Sequence, residues 1–183
     1  DNLSILNLSD NAFGLQTIEP IEEYLRQAVS LDHLILSNNG MGPFAGQRIA
    51  AALFKLSLSK QQQKKSSLVS FICGRNRLEN GSTNYLAIAL KSHKDLQSIK
   101  LYQNGIRPHG ISNLITNGLK YLKDLRTLDL QDNTLTLASS QILSDNLANW
   151  SKLQELNLND CLLSASGSKV LLDLLLESKV ESL

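Results

Sequence analysis

Residues 31–39 read L-D-H-L-I-L-S-N-N and run directly into G-M-G-P at 40–43. Leu31, Leu34 and Leu36 form a short apolar run of strand character, and the glycines with Pro43 mark the turn that ends it. Two asparagines, Asn38 and Asn39, stand side by side where strand gives way to turn. Backbone hydrogen bonding accounts for one of them. The other calls for a different reason, and the rest of the chain distinguishes the two.

The pattern L-x-x-L-x-L-x-x-N recurs along the chain. It fits Leu3, Leu6, Leu8 and Asn11, and then Leu31, Leu34, Leu36 and Asn39, a step of 28 residues. Further copies are Leu68, Phe71, Cys73 and Asn76; Leu96, Ile99, Leu101 and Asn104; and Leu125, Leu128, Leu130 and Asn133. The sixth is Leu153, Leu156, Leu158 and Cys161, and a truncated seventh begins at Val180 and Leu183. Between strands lie stretches of helical spacing, such as Ile49, Leu53 and Leu56, or Leu143, Leu147 and Trp150. In the first repeat Ile18, Ile21 and Leu25 do the same, with Glu22 and Glu23 expected on the solvent side. These features predict an α/β fold: a leucine-rich-repeat solenoid of ribonuclease-inhibitor-like repeats, most of them 28–29 residues long. Parallel strands line the concave face of a horseshoe and helices the convex face. Residues 1–183 form a single domain, with repeats starting near 3, 31, 68, 96, 125, 153 and 180. One step is 37 residues long, and its extra polar residues predict an exposed insertion loop over 57–67.

Composition narrows the function. Lys and Arg total 18 against 17 for Asp and Glu, a net charge of +1 that supplies no field to draw in nucleic acid or an anionic membrane. No apolar run approaches transmembrane length. Asn-x-Ser sequons at Asn2, Asn7, Asn80 and Asn149 are short matches in a chain rich in both residues. Two cysteines, Cys73 and Cys161, lack metal-type spacing, which gives no metal site, and neither end carries the disulfide-rich cap expected of a secreted solenoid, which favours the reducing cytosol. His33, His93 and His109 have no acid or nucleophile at matched spacing, and the glycines Gly42, Gly81, Gly110 and Gly167 read as turn residues opening helices. No catalytic constellation is present, which points to a binding protein rather than an enzyme.

In such repeats the last position of each strand segment is buried, and its amide satisfies backbone groups of adjacent turns. Asn11, Asn39, Asn76, Asn104 and Asn133, with Cys161 in the sixth copy, occupy this structural ladder. The residue just before it is expected to face outward on the rim. That column reads Asp10, Asn38, Arg75, Gln103, Asp132 and Asp160, every member polar or charged. Asn39 therefore belongs to the fold and Asn38 to a binding edge.

The strings S-D-N-A-F-G at 9–14, S-N-N-G-M-G-P at 37–43, C-G-R-N-R-L-E-N-G-S at 73–82, Q-N-G-I-R-P at 103–108, L-D-L-Q-D-N-T at 128–134 and L-N-D-C-L-L-S-A at 158–165 resemble the RanGAP family, the GTPase-activating proteins for Ran. The likeness covers essentially the whole chain, which looks like the fungal form. It implies stimulation of GTP hydrolysis by Ran, in nucleocytoplasmic transport, in the cytoplasm or at the cytoplasmic side of the nuclear pore. The family is described as holding Ran's own glutamine in its productive position with a rim asparagine, which maps onto Asn38. An acidic rim residue of the family falls on Asp132, and Asp10, Arg75, Arg77, Gln103 and Asp160 are expected contacts with the partner. An arginine finger from Arg75 or Arg77 is the competing mechanism; salt bridges to the GTPase are the preferred role for both. The implied partner is GTP-bound Ran, with or without a Ran-binding protein, met by a monomer. No cofactor of its own is implied, since GTP and Mg are carried by the GTPase. Relative to the family, upstream repeats with an important arginine loop, downstream repeats and an acidic tail are missing, so the chain reads as an internal segment of a larger protein. The alternative is a generic leucine-rich-repeat binding module of inhibitor or sensor type. Few cysteines and a balanced charge count against the ribonuclease-inhibitor version.

Overall fold

The computed structural model describes residues 2–14 and 17–176. It alternates strand and helix throughout: β1 (Ile5–Asn7), α1 (Ile18–Leu25), β2 (His33–Ile35), α2 (Pro43–Gln62), β3 (Ser70–Ile72), α3 (Glu79–Lys91), β4 (Ser98–Lys100), α4 (Pro108–Asn117), β5 (Thr127–Asp129), α5 (Leu137–Asn146), β6 (Glu155–Asn157) and α6 (Ala165–Leu175). Short 3-10 turns at Leu119–Tyr121 and Leu147–Asn149 follow α4 and α5. The strands form one six-stranded parallel sheet in chain order, β1-β2-β3-β4-β5-β6. Parallel neighbours require a crossover, and α1 to α5 each supply one.

The repeat pattern dictates this arrangement. The middle residue of each strand is turned toward the helices: Leu34, Phe71, Ile99 and Leu128 are fully buried, and Leu156 nearly so. These middle residues pair one to one, Leu6 with Leu34, Leu34 with Phe71, and so on to Leu128 with Leu156. The apolar positions flanking β2 to β5, such as Leu31 and Leu36 or Leu96 and Leu101, are buried as well, whereas at the ends of the sheet Leu3 is exposed and Leu8 and Leu158 are half-buried. Helical residues at spacing three and four close the core from the other side, among them Ile49, Leu53, Leu56, Leu86 and Leu90. Leucine after leucine leaves water along the whole stack, and this shared core is what holds units that have no core of their own.

Several local expectations are corrected. The anticipated loop over 57–67 is helical as far as Gln62, and only 63–69 lie outside helix and strand. Lys60 continues the apolar spacing of Leu53 and Leu56; it is 1% exposed, and its Nζ donates to the Ser66 carbonyl at 2.9 Å, with Asp32 Oδ1 3.8 Å away. A lysine stem packs like an aliphatic chain when its ammonium reaches oxygen acceptors, so a run that reads as polar can still dock. Glu22 is also buried rather than solvent-facing, because Arg26 and Arg48 both pair with its carboxylate. Gly81, Gly110 and Gly167 lie within helices, not in turns. At Gly110 a Cβ would stand 2.3 Å from Asn80 Oδ1, so close approach of neighbouring units is the reason for glycine there. The truncated seventh copy at Val180 and Leu183 falls outside the described residues.

Candidate functional site

The turn that follows each strand is fastened from within. Asn39 Nδ2 donates to the carbonyls of Leu8 and Leu36, and its Oδ1 accepts from the Asn11 backbone N–H. Asn76 repeats this, donating to Leu36 and accepting from the backbones of Asn39 and Met41. Asn104 donates to Cys73 and Leu101, and Asn133 donates to Leu101 and Leu130. All four side chains are buried. Asn11 makes the local bonds to Leu8 and Ser9 but is exposed at the edge of the sheet. Cys161 keeps one strut of the pattern, its Sγ lying 3.2 Å from the Leu130 carbonyl. Burial pushes that thiol's pKa up, and pushes the Cys73 thiol up to about 12, so neither is a thiolate nucleophile at neutral pH.

The residue before each ladder position shares an unexpected property. Asp10, Asn38, Arg75, Gln103, Asp132 and Asp160 all have left-handed backbone, with φ between 51° and 61°. Asn and Asp tolerate that region better than other side chains do, because their short polar groups bond locally. Four of the six positions therefore have a conformational reason for their identity, a signal that polarity alone does not reveal. Arg75 and Gln103 gain nothing from the left-handed turn.

Around Asn38 the column forms a recognisable surface. An open hollow of about 350 Å3 is lined by Asn38, Gly40, Arg75, Asn76, Arg77 and Gln103. Asn38 is half-buried at its edge, whereas Arg75, Arg77 and Gln103 are exposed. The Asn38 Nδ2 donates to Asp10 Oδ1 across 2.7 Å. Neither Arg75 nor Arg77, both lining the hollow, forms an ion pair among the described residues. Asp132 is half-buried and Asp160 exposed, two and three strands further along the sheet than Arg75. The structure thus gathers Asp10, Asn38, Arg75, Arg77 and Gln103 into one patch and leaves Asp132 and Asp160 as its extension.

Tyr102 is a further member that the repeat pattern does not single out. Its ring lies across Gly74, where a Cβ would be 2.2 Å from it, and its hydroxyl donates to Ser37 Oγ at 3.2 Å. The Ser37 hydroxyl in turn accepts from the Gly74 N–H at 3.1 Å. Three consecutive units are therefore tied together beside the hollow. The available signal was Gly74 standing between Ser37 and Tyr102 in the same repeat column.

Chemistry beyond recognition is sparse. No group of three or more potential metal ligands occurs among the described residues. His93, on the far side of the core, is fully buried: its Nδ1 accepts from the Leu68 N–H and its Nε2 donates to the Leu53 carbonyl. Burial holds its pKa down to about 4, so it is neutral and structural. No described helix is long and apolar enough to cross a membrane.

No protein-family model matches the chain. Over its whole length the chain is 58% identical to Ran GTPase-activating protein 1 of Saccharomyces cerevisiae, of which it spans 45%. It is 43% identical to Ran GTPase-activating protein 2 of Caenorhabditis elegans over 59% of this chain and 12% of that protein. The Ran GTPase-activating protein of Drosophila melanogaster is 37% identical over 61% of this chain and 19% of its own length. The chain thus spans less than half the length of these curated relatives, and the resemblance read from the turn strings is borne out.

Proposed function

From a chain similar along its whole length to Ran GTPase-activating protein 1 of Saccharomyces cerevisiae, we propose that this protein stimulates GTP hydrolysis by Ran and that Asn38 is the residue that acts on the reacting centre. The observation that carries the proposal is the Asn38 amide, held on a left-handed turn at the edge of an open polar hollow. A GTPase glutamine must orient the attacking water. An amide presented from a rigid turn can bond to the glutamine's amide and hold it in the productive rotamer, and the cost of ordering is already met by the fold. The protein is then a regulator that is not itself catalytic, and the nucleotide and its Mg ion come with the partner. Arg75, Arg77, Gln103, Asp10, Asp132 and Asp160 form the docking edge, where exposed guanidiniums suit carboxylates of the GTPase. The parallel sheet and stacked helices are consistent with a leucine-rich-repeat horseshoe whose helix-free face receives GTP-bound Ran, with or without a Ran-binding protein. We place this activity in nucleocytoplasmic transport, in the cytoplasm or at the cytoplasmic side of the nuclear pore, and carried out by a monomer.

The experiment is single-turnover hydrolysis of Ran-bound GTP with and without the protein at its full natural length. Stimulation that is lost on Asn38→Gly and not on loss of Arg75 supports the amide mechanism. A turnover abolished by Arg75→Ala at saturating activator, with Asn38→Gly unaffected, replaces it with an arginine finger. The second reading, a binding module without activating capacity, is favoured by one observation: left-handed backbone by itself gives a reason for Asn or Asp at four of the six column positions. No stimulation by a folded protein that still binds Ran establishes it.

A further inference from the structure

We infer that Asp10 is a positioning residue that fixes which end of the Asn38 amide faces the partner. The inference rests on the proposed role of Asn38 and deepens it. An asparagine side chain is nearly symmetric in shape, so packing alone leaves its oxygen and nitrogen interchangeable. Hydrogen bonding decides between them. Asp10 occupies the same left-handed turn position one unit earlier, and its carboxylate lies 2.7 Å from Asn38 Nδ2. An ionised carboxylate can only accept, so it can engage only the NH2 end. The Oδ1 is thereby turned away from Asp10. On the other side of Asn38, in the next unit, stands Arg75, whose guanidinium can only donate. The column thus places an acceptor-only residue before the amide and a donor-only residue after it.

That sense matters for a glutamine partner. With Oδ1 outward, Asn38 accepts from the glutamine NH2 and leaves the glutamine oxygen free to accept from the attacking water. A reversed amide would instead donate to the glutamine oxygen and compete with the water for it. Asp10 consequently acts on the rate through Asn38, without touching the reacting atoms.

The test is a set of variants measured for single-turnover hydrolysis at saturating activator and, separately, for Ran–GTP affinity. Asp10→Asn keeps size and left-handed tolerance but can engage either end of the amide. It is expected to lower the saturated rate by about tenfold or more, the scale of one coupled contact, over and above any loss of affinity from its place on the docking edge. Asp10→Glu, again acceptor-only, recovers part of the loss. In an Asn38→Gly background Asp10→Asn adds nothing. In the protein alone, the Asn38 side-chain NH2 resonances shift on Asp10→Asn, a readout independent of hydrolysis. An unchanged saturated rate for Asp10→Asn, alongside a large loss for Asn38→Gly, overturns the positioning role and leaves the function standing. Weakened affinity with an unchanged saturated rate overturns it in favour of a direct contact. An unchanged rate for Asn38→Gly overturns the function itself.

Discussion

Asn38 and Asn39 carry the same side chain one peptide apart and live in opposite surroundings. Asn39 is fully buried and bonds three backbone groups, so Asn39→Ala strands those partners and should destabilise the fold by about 1–3 kcal/mol. Chemical denaturation of the variant checks this; an unchanged midpoint would remove Asn39 from the ladder. Asn38 calls for a subtler substitution. Alanine there would add left-handed strain of about 1 kcal/mol, whereas glycine adopts φ of 53° freely. Asn38→Gly should therefore stay within about 0.5 kcal/mol of the parent while losing on the order of a hundredfold in stimulated hydrolysis. His93 gives a pH dependence. Its imidazole titrates near 6.5 when unfolded and near 4 when folded, so the unfolded chain binds the extra proton between these values. The stability contributed by the neutral ring is complete above pH 6.5 and is lost as pH falls toward 4, by about 3 kcal/mol in all. Urea titrations at pH 7 and pH 4.5 should show His93→Asn losing less stability across this window than the parent; equal losses would mean His93 is not the group responsible.

Among the elements, α2 departs furthest from its siblings, running 20 residues where α3 runs 13. Its last turns are secured by buried Ser57 and Lys60, so amide exchange should be slow through Gln62 and fast over 63–67. Open-loop exchange rates from Ser57 onward would contradict the helix. A second test lies between α3 and α4, where a Cβ on Gly118 would stand 2.6 Å from the Ala87 Cα and 2.7 Å from its carbonyl oxygen. Backbone cannot swing aside as a side chain can, so Gly118→Ala should cost about 2 kcal/mol or more, measured by thermal unfolding. These elements also show what a sequence does and does not display. The strand positions were legible because the same apolar spacing recurs inside every repeat and is needed by the core. The end of α2 was not, because Lys60 reads as polar while its stem behaves as apolar. The outward column was legible as polar, but its left-handed backbone was masked by Arg75 and Gln103, which give no sign of such a turn. The bond between Asp10 and Asn38 joins residues 28 apart and exists only once β1 and β2 are in register.

For the molecule as a whole, order is expected to decline from the middle outward. Each unit is stabilised by its neighbours, and β1, with a partner on one side only, leaves Leu3 and Ile5 exposed by 43% and 55%. In this chain taken alone, hydrogen exchange should be slowest around β3 to β5 and faster at β1; uniform protection would mean that self-association covers the edge. Throughout the stack, successive strands remain in one-to-one register whether the intervening step is 28, 29 or 37 residues long. Every variation in length is absorbed on the helical side. The turn column is consequently a ruler of constant pitch, one side chain per strand spacing of about 4.8 Å. Lineages of this architecture can lengthen, shorten or decorate their outer helices without altering the distance between any two marks on that ruler, and an engineer could splice in whole units to extend it without recalibrating the marks already there.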